Sequence, residues 1–235
     1  MYLPEPLYRK DYQGEVLTKA VNGAEQRFFV KSRNLFHRTE PNGRAMVIGN
    51  GMSRQNDMFN LFMKTNSNRP IQGYKIVYGC NGAAWDLDCD YYVINNRSIV
   101  GSVVNTAIQS QFILPWTIWT DYKHCHLAPL VNYGNAGTQA LYLACFDGNE
   151  EIFMFGFDLQ DGIYNNNCYA GQDSYDESTI PVDSSSWVKD TMLLMASYPN
   201  VQFYRVGGGS TPLGWQGLTN FKDITYRDAV MLGDF

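Results

Sequence analysis

The chain has 235 residues, of which 45% are hydrophobic, 17% charged and 14% aromatic, a composition that supports a buried core and excludes wholesale disorder. Its 18 Lys and Arg against 23 Asp and Glu leave a formal charge of −5, so no global basic field exists to neutralise a nucleic-acid backbone or an anionic membrane surface. Five cysteines, an odd number without paired spacing, point to reduced thiols and a cytoplasmic compartment rather than a disulfide framework. Apolar windows such as residues 152–155 are far shorter than the roughly 20 residues needed to cross a bilayer, so no membrane span is expected. Residues 1–14 lack the unbroken apolar stretch of a secretory leader.

Residues 1–44 carry no helical period and contain Pro4, Pro6, Gly14, Gly23, Pro41 and Gly43. They read as an arm or small β-rich extension with one strand over residues 27–31. From Ala45 the texture changes: Ala45, Met46, Val47 and Ile48 form a buried type of strand, followed by Gly49-Asn50-Gly51-Met52-Ser53 and a helix over residues 57–64. Strand, glycine turn and helix in that order open many nucleotide-binding α/β folds. The pattern continues with strands at 74–78 and 91–94, the turn Gly79-Cys80-Asn81-Gly82 between them, and β-like runs at 111–114 and 117–119.

Residues 136–146 place Ala140, Leu141, Ala144 and Cys145 on one helical face, and Gly148 is positioned to end that helix. Residues 152–155 are a wholly apolar strand, as expected where helices cover both faces of a sheet. A helix is predicted over 184–197 with Val188, Met192, Met195 and Ala196 inward, and a strand over 201–206. The fold class expected is therefore α/β, a doubly wound and mainly parallel sheet over residues 45–206. Residues 162–186 read as a long polar loop over the ligand crevice, and 207–235 as a tail.

The glycine turn either lets backbone N–H groups approach an anion at the start of the helix behind it or is a tight turn with no ligand. It lacks the third glycine and the later acidic residue of a dinucleotide fingerprint, which disfavours NAD. Asn50, Asn81 and Asn95 each follow a predicted strand on the same sheet edge, where their amides suit a base and ribose; singly, each is also an ordinary turn residue. Asp86-Leu87-Asp88 has the spacing of a divalent cation site bridging a diphosphate, although such triplets arise by chance in loops. His124 and His126 are candidates for a general base or for idle loop residues. Asp158 stands at the crevice edge, where it suits either deprotonation of an acceptor or the capping of a turn. Tyr164, Tyr169 and Tyr175 in the long loop suit donation to a leaving phosphate, although with 16 tyrosines in the chain they are also ordinary loop residues.

The order of these motifs resembles the bacterial sialyltransferases that use a cytidine monophosphate sugar, and related motility-associated, phage-borne glycosyltransferase-like proteins. Their first turn, Gly-Asn-Gly-Pro-Ser, is matched by residues 49–53, and their Cys-Asn turn by Cys80 and Asn81. A third strand ends in Asn, as at Asn95. A Ser-Gly helix start, a Glu-Ile strand and Gly-x-Asp resemble Ala136-Gly137, Glu151-Ile152 and Gly156-Phe157-Asp158. The resemblance implies a glycosyltransferase-like domain in which Asn50, Ser53, Asn81, Asn95 and Gly137 line a cytidine nucleotide site, with Gly49, Gly51 and Thr138 beside them. It implies Asp158, Tyr164 and Tyr169 as catalytic groups, no resident cofactor and no metal. The family's loop histidine is missing from residues 159–200, so the base falls to Asp158, Asp173 or His126, or is absent.

Two expectations follow. One is an inverting, metal-independent transferase acting on a nucleotide sugar and an acceptor hydroxyl. The other is a non-catalytic phage accessory or virion protein that assembles, with itself or in a particle, through its N-terminal arm.

Overall fold

Ala45, Met46, Val47 and Ile48 are completely buried, as a strand covered on both faces requires. They belong to β3 (Gly43–Ile48), the central strand of a computed structural model that describes residues 16–21, 24–29, 43–65, 76–103, 112–119, 121–122, 125–128, 135–159, 164–165, 167–172, 175 and 182–232. Before it, β1 (Val16–Val21) and β2 (Ala24–Phe29) form a separate antiparallel hairpin.

After β3 come α1 (Asp57–Thr65), β4 (Ile76–Cys80), β5 (Tyr91–Val93), α2 (Arg97–Val103), β6 (Phe112–Leu114), α3 (Trp116–Trp119) and β7 (His126–Leu127). The second half contains α4 (Ala136–Phe146), β8 (Asn149–Phe155), the short antiparallel pair β9 (Tyr164–Asn165) and β10 (Val182–Asp183), α5 (Ser185–Ser197), β11 (Gln202–Val206), β12 (Phe221–Ile224) and α6 (Tyr226–Leu232). Eight strands make one sheet in the order β12-β11-β8-β3-β4-β5-β6-β7, and every pairing in it is parallel.

Side chains alternate across this sheet with period two. Met46, Ile48, Phe153 and Phe155 join one core with Phe59 of α1, Ile99 of α2, Trp119 of α3 and Ala229 of α6. Ala45, Val47, Ile152 and Met154 join the other with Leu141 of α4 and Leu194 of α5. The fold is thus a doubly wound, Rossmann-like α/β sheet, and no helix among the described residues is long and apolar enough to cross a membrane.

Helix α4 is buried almost all round, and Gly148 ends it at φ +81° with its N–H on the Cys145 carbonyl. Its start is set by Asn135, whose Oδ1 accepts from the Thr138 N–H at 2.8 Å. In α5 the buried residues are Val188, Thr191, Leu194 and Met195; Met192 is half-buried and Ala196 is exposed, which corrects the expected inward face.

Two further expectations change. Residues 117–119 are helical rather than extended, because Pro115 opens a turn whose carbonyl accepts from Ile118 at 3.0 Å and Trp119 at 2.8 Å. The segment expected to be a tail contributes β12 and α6 to the sheet and its core. It is held by Arg205, which is wholly buried and donates to Asp223 at 2.5 Å and to the carbonyls of Phe157, Leu159, Gly209 and Ser210.

Candidate functional site

Strand order reverses between β3 and β8, so the loops leaving these two strands face one another at the sheet's carboxyl edge. In open α/β sheets this reversal is where ligands bind. Here the two loops are in direct backbone contact: Gly49 N–H donates to the Phe155 carbonyl at 2.8 Å and Gly51 N–H to that of Gly156 at 2.9 Å. A Cβ on Gly51 would lie 2.6 Å from the Gly156 oxygen. The glycines therefore serve loop-to-loop packing, and the expectation that their N–H groups face an anion is corrected for Gly49 and Gly51.

Ser53 lies in a 3₁₀ turn, Met52–Gln55, that follows the glycines. Its N–H donates to Asp158 Oδ2 at 2.6 Å and its hydroxyl to Asp158 Oδ1. Asp158 thus caps this turn across the seam between the two loops.

The next residue, Arg54, is the centre of the site and was missed by sequence reasoning. Its guanidinium is buried against the rings of Phe59 and Tyr169, with its central carbon 5.6 and 5.1 Å from their centroids. Nη1 donates to Gly49 O at 3.3 Å and to Asn50 Oδ1 at 3.1 Å; Nη2 donates to the Tyr169 hydroxyl at 2.8 Å and to Asp86 Oδ2 at 3.2 Å. Burial opposes its charge, but Tyr169, Cys168 and Asp86 outweigh burial and hold its pKa above the ordinary value. An arginine directly after a glycine turn, four residues from Asn50, was the available signal.

Tyr169 comes from the long loop, which crosses the first turn: Cys168 N–H donates to the Asn50 carbonyl at 2.8 Å, and Gly51 bridges Asn167. The Tyr169 hydroxyl donates to Asp86 Oδ1 at 2.5 Å, and burial holds this phenol protonated well above the ordinary tyrosine range. Trp85 stands edge-on to both Tyr169 and Tyr175, with centroids 5.3 and 6.0 Å away. Gly82 lies beneath Tyr169, where a Cβ would come within 2.6 Å of the ring. Burial pushes Tyr175 up to about 12, and its hydroxyl accepts from Asn50 Nδ2 at 3.3 Å.

Asn81 and Asn95 meet as expected. Asn81 opens a second 3₁₀ turn, Asn81–Trp85, at φ +44°, a left-handed angle that Asn tolerates. Its Oδ1 accepts from the Asn95 N–H at 3.0 Å and its Nδ2 donates to Asn95 Oδ1 at 3.3 Å. Asn50, Asn81 and Asn95 are each half-buried.

The other candidates are placed differently. Thr138 is fully buried; its N–H caps on Asn135 and its hydroxyl is 2.8 Å from that of Thr191, so both groups are engaged inside the protein. Gly137 packs against the Phe157 ring. Tyr164 lies in β9, its backbone paired with Asp183 of β10. His126 is buried on β7 at the sheet edge, four strands from β3 and so about 19 Å from the glycine turn at ordinary strand spacing. His124 and Asp173 lie outside the described residues. Asp86 faces Arg54, whose charge takes the side a cation would occupy, and no cluster of three metal-ligating side chains occurs among the described residues.

No family model, curated protein or solved structure matches this chain.

Proposed function

We propose that the chain binds a nucleotide sugar at the carboxyl edge of its sheet and transfers the sugar to an acceptor hydroxyl. One observation carries this reading: Asn50, Asn81 and Asn95, all half-buried, stand with Arg54 and Tyr169 on loops beside the strand-order reversal. Side-chain amides there suit the edges of a base and the ribose hydroxyls, because they offer donors and acceptors without charge. The positive Arg54 and the protonated Tyr169 suit a phosphate that becomes the leaving group.

In this reading Asp158 takes the proton of the acceptor hydroxyl, and Tyr169 and Tyr164 donate to the departing phosphate. A single displacement of this kind inverts the anomeric centre. Titration calorimetry against CMP, UMP, AMP and GMP tests the proposal. Binding of a pyrimidine nucleotide, weakened about tenfold in Asn81→Gly through loss of one hydrogen-bonding side chain, supports it. Glycine is the chosen replacement because it keeps the left-handed backbone. No binding by any of the four overturns it.

A non-catalytic reading, with the fold as an assembly scaffold, draws on a different observation. The N–H groups of Gly49, Gly51 and Ser53 are all bonded within the protein. Native mass spectrometry separates the two: an oligomer without nucleotide affinity supports the scaffold, and a monomer that transfers sugar overturns it.

A further inference from the structure

The ion pair between Arg54 and Asp86 is unequal in its two halves. The Arg54 side chain is 4% exposed, pinned by the Gly49 carbonyl and Asn50 Oδ1 and packed against two rings; the Asp86 side chain is 51% exposed. The cation is fixed by the fold, and the anion reaches it from solvent. Arg54 Nε is buried and without a hydrogen-bond partner among the described residues, so the guanidinium is under-coordinated even with Asp86 in place.

Two donors converge on the Asp86 carboxylate. The Tyr169 hydroxyl donates a hydrogen bond to Oδ1 at 2.5 Å, and Arg54 Nη2 lies 3.3 and 3.2 Å from Oδ1 and Oδ2. A guanidinium and a phenol held by rigid packing, aimed together at two oxygens of one anion, form a binding position for any oxyanion of similar shape. A half-exposed carboxylate leaves such a position at little cost, because solvent takes up its charge. The buried guanidinium cannot follow it and would then need another anion.

We infer that the Arg54–Tyr169 pair is a phosphate-binding position which the chain's own Asp86 carboxylate fills, so that a nucleotide phosphate binds by displacing Asp86. This deepens the proposed function by naming the phosphate subsite and the contact that guards it. Asp86 follows directly on the Asn81–Trp85 turn, so the phosphate would bind at the end of the turn that Asn81 opens. Apparent affinity for the anion is then the intrinsic affinity reduced by the fraction of time Asp86 is away.

The test uses inorganic pyrophosphate, which carries neither base nor ribose, titrated into the full chain by calorimetry. Asp86→Asn, which keeps the shape and removes the charge, is expected to bind it at least tenfold more tightly than the parent. Adding Tyr169→Phe, which keeps the ring and loses the donor, is expected to remove much of that gain, and Arg54→Lys the rest. The inference is overturned if Asp86→Asn binds pyrophosphate no better than the parent, or if the gain survives both further substitutions in variants whose circular dichroism shows them folded. Failure of all nucleotides alongside a pyrophosphate gain in Asp86→Asn would sink the nucleotide reading and leave the anion position standing. Nucleotide binding indifferent to Asp86 would do the reverse.

Discussion

Gly49 and Gly156 touch backbone to backbone across the seam between β3 and β8: a Cβ on Gly49 would lie 2.6 Å from the Gly156 carbonyl oxygen, and one on Gly156 would lie 2.7 Å from that of Gly49. Gly156 also sits at φ +68°, where an L side chain is strained.

Gly156→Ala therefore combines a disfavoured backbone with a clash that neither loop can relieve alone. It is expected to lower stability by more than the ~1–2 kcal/mol that a left-handed alanine costs by itself. Gly148→Ala is the internal reference, since Gly148 has φ +81° but nothing within 4 Å of its Cβ position. Urea denaturation of both variants measures the difference, and equal losses would count against the seam as a rigid contact.

Asp158 separates capping from catalysis. Asp158→Ala removes both bonds to Ser53 and is expected to cost about 1–2 kcal/mol, the worth of a lost cap. Asp158→Asn retains an acceptor for the Ser53 N–H, and the Ser53 hydroxyl can turn to accept from the amide, so its melting temperature should stay close to the parent's. If Asp158 is the base, that same variant loses sugar transfer. Transfer at the parental rate in Asp158→Asn would restrict Asp158 to capping.

Arg205 anchors β12 and the 207–210 turn from inside the core. Arg205→Met leaves Asp223 and four carbonyls without their shared donor; Asp223 still reaches solvent, so the expected loss is about 1–3 kcal/mol, the cost of leaving inward-facing acceptors unsatisfied. Adding Asp223→Leu should return part of it, because the two losses are not independent. Full additivity in the double-mutant cycle would show that the two residues are not coupled.

Stability should fall on the alkaline side. Burial pushes Cys80 from 9.0 up to about 12, and Tyr142 and Tyr175 from 10.0 up to about 12. The folded chain keeps these protons after the unfolded chain has lost them, so their contribution is complete below the ordinary values and disappears as pH rises toward 12. Each group adds a slope of at most about 1.4 kcal/mol per pH unit across that window. Urea midpoints should hold between pH 7 and 8.5 and drop steeply above pH 10; Tyr142→Phe should flatten the drop.

Much of the sheet was legible because its strands are apolar on both faces. Residues 45–48 and 152–155 are short, wholly apolar runs that suit a strand covered on both faces, and the helix ended by Gly148 has its stop written in one residue. What escaped is what sequence period cannot carry. Strand β12 is Phe-Lys-Asp-Ile, with both middle residues exposed as suits a sheet edge. Helix α3 has four residues and owes its start to Pro115. In the site, Asn81 and Asn95 were found because each follows a strand. Arg54 was passed over because an arginine beside a glycine turn reads as surface, until a loop more than a hundred residues on supplies the tyrosine that buries it.

The register that pairs Gly43 with Asn149 also governs how the chain folds. Strand β3 gains β4 soon after synthesis, yet its other edge stays open for roughly a hundred residues until β8 is made, a non-local closure of the kind that slows folding. During that interval an unpaired, apolar edge is exposed to any other nascent chain. Assembly of this sheet is thus a race between late intramolecular zipping and aggregation, and dilution or chaperone capture should raise the yield of native protein more than any added surface charge.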